Sequence, residues 1–227
     1  MLVHGLAVSN RYLAPSLRAL ASDRRVFAPD LPGVGRSSRP GRELSTAELV
    51  DGLRDWMDVV GVDQAAAVVG HSLGCVLVAQ LAARHPDRVA AVVLVSPGLD
   101  PEQRSLGRQV LGLLRDGFRE RPSMVRIAVS DYSRVGARRM WRTLRKAQGA
   151  EAAISLGQIR QPTLVVHGER DPLSSASWAQ RLARDLPAGS VVIISGAPHG
   201  VPYSATGPFV DAVRTFLDGH GSVPSTA

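Results

Sequence analysis

The stretch Val68-Val69-Gly70-His71-Ser72-Leu73-Gly74-Cys75-Val76-Leu77 sets a serine between two glycines, at the point where an apolar run gives way to a helical pattern. The run before it, Ala65-Ala66-Ala67-Val68-Val69, has the character of a buried strand. The pattern after it continues as a helix to His85-Pro86, where proline forbids continuation. A strand that turns sharply into a helix forces its central residue into strained backbone angles, and neighbouring chains then approach so closely that only glycine fits on either side. Such a turn lifts the Ser72 hydroxyl clear of the sheet at a helix N-terminus, where backbone N–H groups meet a developing oxyanion. The G-x-S-x-G pattern alone is weak; the strand before it and the helix after it give it meaning.

Working outward, short apolar runs alternate with helical patterns on both sides of this turn. Ahead of it come "MLVH", a helix over about 11–22, "RVFAP" as a strand, and a helix over 45–60. In that helix Ser45 and Glu48 make a capping box, Leu49, Leu53, Trp56, Met57 and Val60 share a face, and Gly61 ends it. Beyond it come the helix over 73–85 and the strand "RVAAVVLVSP". Residues 100–158 break the alternation, being helical and basic with no β-rich run. It resumes with "QPTLVVHG", the helix "SASWAQRLARDL", the strand "GSVVIIS" and a last helix opened by Pro208, with Phe209, Val213, Phe216 and Leu217 facing in. Strands apolar throughout and separated by helices imply a mostly parallel sheet, doubly wound and covered on both faces: the α/β class. The expected organisation is a core in two parts, 1–99 and 159–219, a helical lid over 100–158 and a flexible tail over 220–227.

Composition bounds the function classes. A chain of 227 residues fits one domain with a small insertion, and 44% hydrophobic with 21% charged residues is ordinary for a soluble globular protein. The longest apolar runs fall far short of the ~20 residues that a bilayer span needs, and the N-terminus does not read as a secretory signal, so the expected location is cytoplasmic, with no membrane partner. The single cysteine, Cys75, excludes an intrachain disulfide framework and reads as a small packed hydrophobe. Net charge is +7, and the excess is local: residues 100–158 hold twelve basic and six acidic residues. That segment lacks the interleaved aromatics of a nucleic-acid surface, so no nucleic-acid partner is expected. Its charge suits either a carboxylate- or phosphate-bearing substrate or a solvated helix face. No metal or organic cofactor is implied: the histidines show no ligand spacing, and Gly33-Val34-Gly35 lacks the third glycine of a dinucleotide loop.

A serine hydroxyl becomes a nucleophile when an imidazole accepts its proton and an acid holds that imidazole. Among the six histidines, His71 sits within the turn and is expected to point away from the hydroxyl. His85 ends a helix, His220 is in the tail, and His4 and His167 close strands. His199, in "SGAPHGVPYS" after a strand and before the last helix, is the candidate base. Asp171, in "VVHGERDPLSS" at another strand end, is the candidate acid, with Asp100 in "SPGLDP" as the runner-up. Gly5 allows the backbone to bend so that the Leu6 N–H points at the same oxygen as the Leu73 N–H, giving two donors for an oxyanion hole.

Four motifs in order, "VHGLAVSN", "APDLPGVGRSS", "GHSLG" and "GERDPL" with "GAPHG", resemble the α/β-hydrolase fold superfamily, in particular its bacterial esterase and carbon–carbon-bond hydrolase branch. The resemblance covers about residues 2–218. It implies Ser72 as nucleophile, His199 as base, Asp171 as the acid that orients it, Leu6 and Leu73 as oxyanion donors, residues 100–158 as a lid, and Asp30 bracing the turns near the pocket mouth. It also implies two strands ahead of the one carrying His4-Gly5: either the true start lies upstream, or the sheet is short and has an exposed edge. The activity implied is serine hydrolysis through an acyl-enzyme on a small carboxylic ester or related acyl substrate. Thioester, amide and carbon–carbon cleavage share the triad. A ligand-binding module that keeps the fold but turns over slowly or not at all is the alternative from another class. Oligomeric state is not legible.

Overall fold

The computed structural model describes residues 1–5, 7–62, 64–98, 100, 105–136, 138–142, 145 and 156–220. Five parallel strands form one sheet in sequence order: β1 (Leu2–Val3), β2 (Ala66–His71), β3 (Val89–Val95), β4 (Thr163–Gly168) and β5 (Gly189–Ile194). Register runs through the elbow, with Val3 opposite Gly70 and His71 opposite Val95, so the C-terminal ends of β1, β2 and β3 line up at one edge of the sheet. Ligands in open α/β sheets bind outside those ends.

Helices cover both faces. On one face lie α2 (Thr46–Val59), α3 (Gly74–Arg84) and α6 (Ala176–Asp185), burying Leu53, Met57, Leu81 and Leu182 against the sheet. On the other lie α1 (Ala14–Leu20), the one-turn α7 (Val201–Ser204) and α8 (Thr206–Gly219), whose Phe209, Val213 and Phe216 are buried with Tyr12 and Leu13. Each such side chain withdrawn from water contributes about 2 kcal/mol. The Ser45 capping box forms as the sequence reads, with Ser45 Oγ accepting from Glu48 N and the Glu48 carboxylate from Ser45 N. Two further helices, α4 (Leu106–Gly117) and α5 (Pro122–Val135), lie between β3 and β4. No described helix is long and apolar enough to cross a membrane.

Three expectations need correction. "RVFAP" is extended but is no strand: its one backbone bond to the sheet runs from Leu2 N to Phe27 O, and Pro29 has no N–H to extend the pairing. That segment flanks β1, and Leu2 and Val3 are buried, so the exposed edge lies instead at β5, where Gly189 and Ser190 meet solvent. The last helix opens at Thr206, two residues before Pro208, because proline is tolerated anywhere in a first turn whose N–H groups lack intrahelical partners.

Candidate active site

The turn after β2 has the strained geometry that its glycines allow. Ser72 is held at φ +54°, a left-handed conformation costly for a residue with a side chain, and its N–H donates to Val95 O at 2.9 Å. A Cβ on Gly70 would lie 2.5 Å from Gly74 O. One on Gly74 would lie 2.8 Å from His4 O and closer still to Val3 O. Leu73 precedes the first helical residue of α3, among the amides that a helix leaves without an intrahelical partner. Leu6, the second expected oxyanion donor, lies outside the described residues. On either side of it, Gly5 N–H donates to Tyr12 Oη at 2.9 Å and Ala7 takes φ +57°.

Asp171 and His199 come from the loops after β4 and β5 and meet. His199 Nδ1 donates to Asp171 Oδ2 at 2.8 Å, so the proton on Nδ1 leaves Nε2 as the ring's free nitrogen. Asp171 also accepts from Leu173 N through Oδ1 at 2.8 Å. Burial alone would raise the Asp171 carboxyl, but the facing His199, with His167 and the Leu173 amide, holds it below the usual range. Burial would lower His199, and the charges of Asp171, Asp116 and Glu120 outweigh it and raise it. Asp100 is placed elsewhere: its Oδ2 accepts from Ser175 N and Oγ at the start of α6, at 3.2 and 2.6 Å. Among the other histidines, His167 Nδ1 stands 3.9 Å from Asp171 Oδ2, beyond hydrogen-bond range. His4 lies buried, taking Leu31 N–H on its Nε2. Asp30 accepts from Asn10 N and Arg36 N, tying two loops together beside the site.

Ser72, Leu73, Gly5 and His199 line a cavity of about 470 Å³ whose other walls include Val8, Leu113, Met124, Ala128, Tyr132 and Leu173. Among the described lining residues the charged side chains are Asp116, Glu120 and His199. The arginines of α4 and α5, Arg108, Arg115, Arg126 and Arg134, are exposed to solvent. Arg139 borders a separate cavity of about 100 Å³ that shares Gly5 and Leu73 with the larger one, and it donates to Pro32 O.

Three features escaped the sequence reading. Tyr12 and His71 make a buried chain: His71 Nε2 donates to His199 O at 3.0 Å, so its Nδ1, at 2.7 Å, takes the Tyr12 hydroxyl proton. Burial lowers His71 to about 3, keeping the ring neutral as this chain requires. Asp116 and Glu120 accept the N–H groups of His199 and Gly200 at 3.0 and 2.5 Å. Asp131, on α5, accepts from Ser9 N at 2.8 Å, Ser9 Oγ at 2.7 Å and Arg11. The available signal was the pair of acids Asp116 and Glu120, close together at the end of α4 and in the turn after it, in a segment otherwise dominated by arginine.

Residues 1–120 match the family model described as alpha/beta hydrolase fold, and residues 135–226 match one described as TAP-like protein. A putative carbamate hydrolase of Caulobacter sp. (strain K31) is 29% identical across 96% of this chain and 90% of its own length. A 1-acylglycerol-3-phosphate O-acyltransferase of Sus scrofa is 34% identical over 48% of this chain; the chain spans about a third or less of the first curated relatives it matches. A thermophilic esterase from Thermogutta terrifontis superposes with a TM-score of 0.78 over 96% of this chain and 89% of its own, at 21% identity, a likeness of fold.

Proposed function

The chain belongs to the α/β-hydrolase fold family, whose model matches more than half of it, and from that premise we propose that it is a serine hydrolase acting on small carboxylic esters through an acyl-enzyme. The observation that carries the reading is the meeting of three elements: the strained serine at the C-terminal end of β2, and the bonded pair of His199 and Asp171 on the loops after β5 and β4, with Ser72 and His199 lining one cavity. His199 Nε2 takes the Ser72 proton as Oγ attacks the acyl carbonyl. Asp171 stabilises the imidazolium that forms, and the Leu73 N–H stabilises the oxyanion. The same imidazolium then protonates the departing alcohol. Water, activated by the neutral ring, releases the acid. Leu6 is proposed as the second oxyanion donor on the sequence pattern alone. Apolar walls favour an uncharged acyl chain, and the acidic side chains bordering the cavity disfavour the carboxylate- or phosphate-bearing substrate that the basic segment alone suggests.

In the same proposal residues 100–158 form the lid, with α4 and α5 as described parts of it, and the location is cytoplasmic. The test is hydrolysis of p-nitrophenyl acetate and butyrate by the wild type and Ser72→Ala, with fluorophosphonate labelling alongside. The serine-hydrolase reading requires kcat to fall by at least about a thousandfold in the alanine variant, with labelling abolished. A folded wild type that neither turns over nor labels would favour the binding-module reading instead.

A further inference from the structure

The loop carrying His199 does not satisfy its own backbone. Residues 198–200 are Pro-His-Gly, ahead of the four-residue α7, so no local side chain caps the amides of His199 and Gly200. Both find acceptors about eighty residues upstream. Asp116 Oδ1 takes His199 N–H, and Glu120 Oε1 takes Gly200 N–H while its Oε2 takes the Ser204 hydroxyl. The fit is close: a Cβ on Gly200 would lie 2.5 Å from Glu120 Oε1, so glycine at 200 is what admits the carboxylate. On the other side of the same residue, His71 Nε2 holds His199 O. Helix α4 also presses on the turn after Asp171, where a Cβ on Gly112 would come 3.1 Å from Pro172 O and 2.6 Å from a Leu173 methyl. One helix thus reaches both the acid's turn and the base's loop.

We propose that Asp116 and Glu120 are positioning residues for His199, so that α4 and the turn after it set where the imidazole stands relative to Ser72 and act as a fixed part of the acid–base apparatus as well as of the lid. The inference rests on the proposed role of His199 as base. Both carboxyls are raised, chiefly by burial and for Glu120, pushed up to about 7, also by the charge of Asp116, and the negative charge they carry raises His199 in turn. The groups facing His199 are Asp171 and His167 from β4 and its loop, His71 from the elbow, and Asp116 and Glu120 themselves; Tyr132 of α5 faces Asp116.

Kinetics of isosteric and truncating variants separate positioning from mere stabilisation. Asp116→Ala and Glu120→Ala each remove an acceptor, and kcat is expected to drop by about a hundredfold, as misplacement of about 1 Å does, with KM nearly unchanged. Asp116→Asn and Glu120→Gln keep an acceptor oxygen and restore kcat. Either single amide leaves the remaining carboxyl free to ionise, so the charge beside His199 persists. The double amide removes that charge. His199 must be neutral to act as base, so the acid limb of kcat/KM moves to lower pH in the double variant, by about one unit. Wild-type kcat in folded Asp116→Ala and Glu120→Ala, or an unmoved acid limb in the double amide, overturns the proposal. His199→Ala run in parallel tests the underlying reading separately, because retained turnover there would remove the base whatever the carboxylates do.

Discussion

The elbow between β2 and α3 and the pair of helices α4 and α5 both face the cavity, yet they are held by opposite means. At the elbow, backbone lies against backbone: Gly70 against Gly74, Gly74 against Val3 and His4, and Ser72 N–H on a β3 carbonyl. Every residue of α3 from Gly74 to Ala79 is buried. In α4, α5 and the turn between them, apolar side chains that border the cavity also reach solvent, with Leu114 62%, Phe118 93% and Val129 61% exposed. Three buried carboxylates, Asp116, Glu120 and Asp131, bind these helices to the loops that carry His199 and Ser9. The elbow is fixed by sterics that allow almost no substitution; the helices are fixed by a few polar ties, each of which can be cut singly.

One added methyl group affects the two regions in opposite ways. In Gly74→Ala the new Cβ meets main-chain oxygens that cannot rotate away, and the expected result is loss of at least about 3 kcal/mol, or failure to fold, with loss of activity. In Gly117→Ala no described atom lies within 4 Å of the new Cβ, and the last turn of α4 gains up to about 1 kcal/mol from the better helix former. Thermal unfolding of the two proteins decides it. Equal midpoints would show that the elbow has room that the geometry denies it.

The same contrast explains what could be read from the chain. Gly70, Ser72 and Gly74 lie within five residues, and a strand-to-helix turn of that spacing leaves few alternatives. Ser45 with Glu48, and Ser175 ahead of α6, mark helix starts through bonds three residues long, so sequence alone locates them. Asp171 and His199 are separated by 28 residues but sit at successive strand ends, which a parallel sheet brings side by side. Asp116 pairs with a backbone amide 83 positions away and Asp131 with one 122 away, and no local pattern announces either. Tyr12 was hidden differently: it is buried in the core like any aromatic there, and only the fold brings its hydroxyl between Gly5 and His71. "RVFAP" failed because a strand is defined by its partners, and short apolar composition does not supply them.

Cutting the Asp131 tie should cost less than the elbow methyl. Asp131→Ala leaves the Ser9 N–H and hydroxyl buried without their acceptor, whereas Arg11, 45% exposed on its side chain, returns to water. The expected loss is about 2 kcal/mol, a fall in Tm of about 4–8 °C for a chain of this size. Burial would raise Asp131, and the bonds from Ser9 and Arg11 outweigh it and lower its pKa. The carboxylate therefore stabilises the fold above the ordinary aspartate range and ceases to do so as pH falls through its lowered value. The gap in Tm between wild type and variant should accordingly narrow in acid. A gap that widens in acid would show that the Ser9 tie is not what the carboxylate contributes.

Ser45→Ala has the smallest expected effect of these substitutions. The Ser45 bond is as local as a tie can be, spanning three residues at the start of a helix that packs under the sheet and away from His199. Losing it exposes one helix-start amide that water satisfies, because Ser45 and its partners stand at the surface, and Glu48 keeps its ion pair with Arg42. The expected cost is about 1 kcal/mol, or a Tm lower by about 2–4 °C. Its kinetic signature should differ from that of Asp116 and Glu120: kcat, KM and the acid limb all stay at wild-type values, since α2 makes no bond to either the His199 loop or the Asp171 turn among the described residues. Equal stability losses in Ser45→Ala and Glu120→Ala, with kcat lost only in the second, would separate a tie that holds the fold from a tie that holds the base. A fall in kcat common to both would mean that any loosening of the molecule reaches His199, and the distinction between the two regions would lose its functional content.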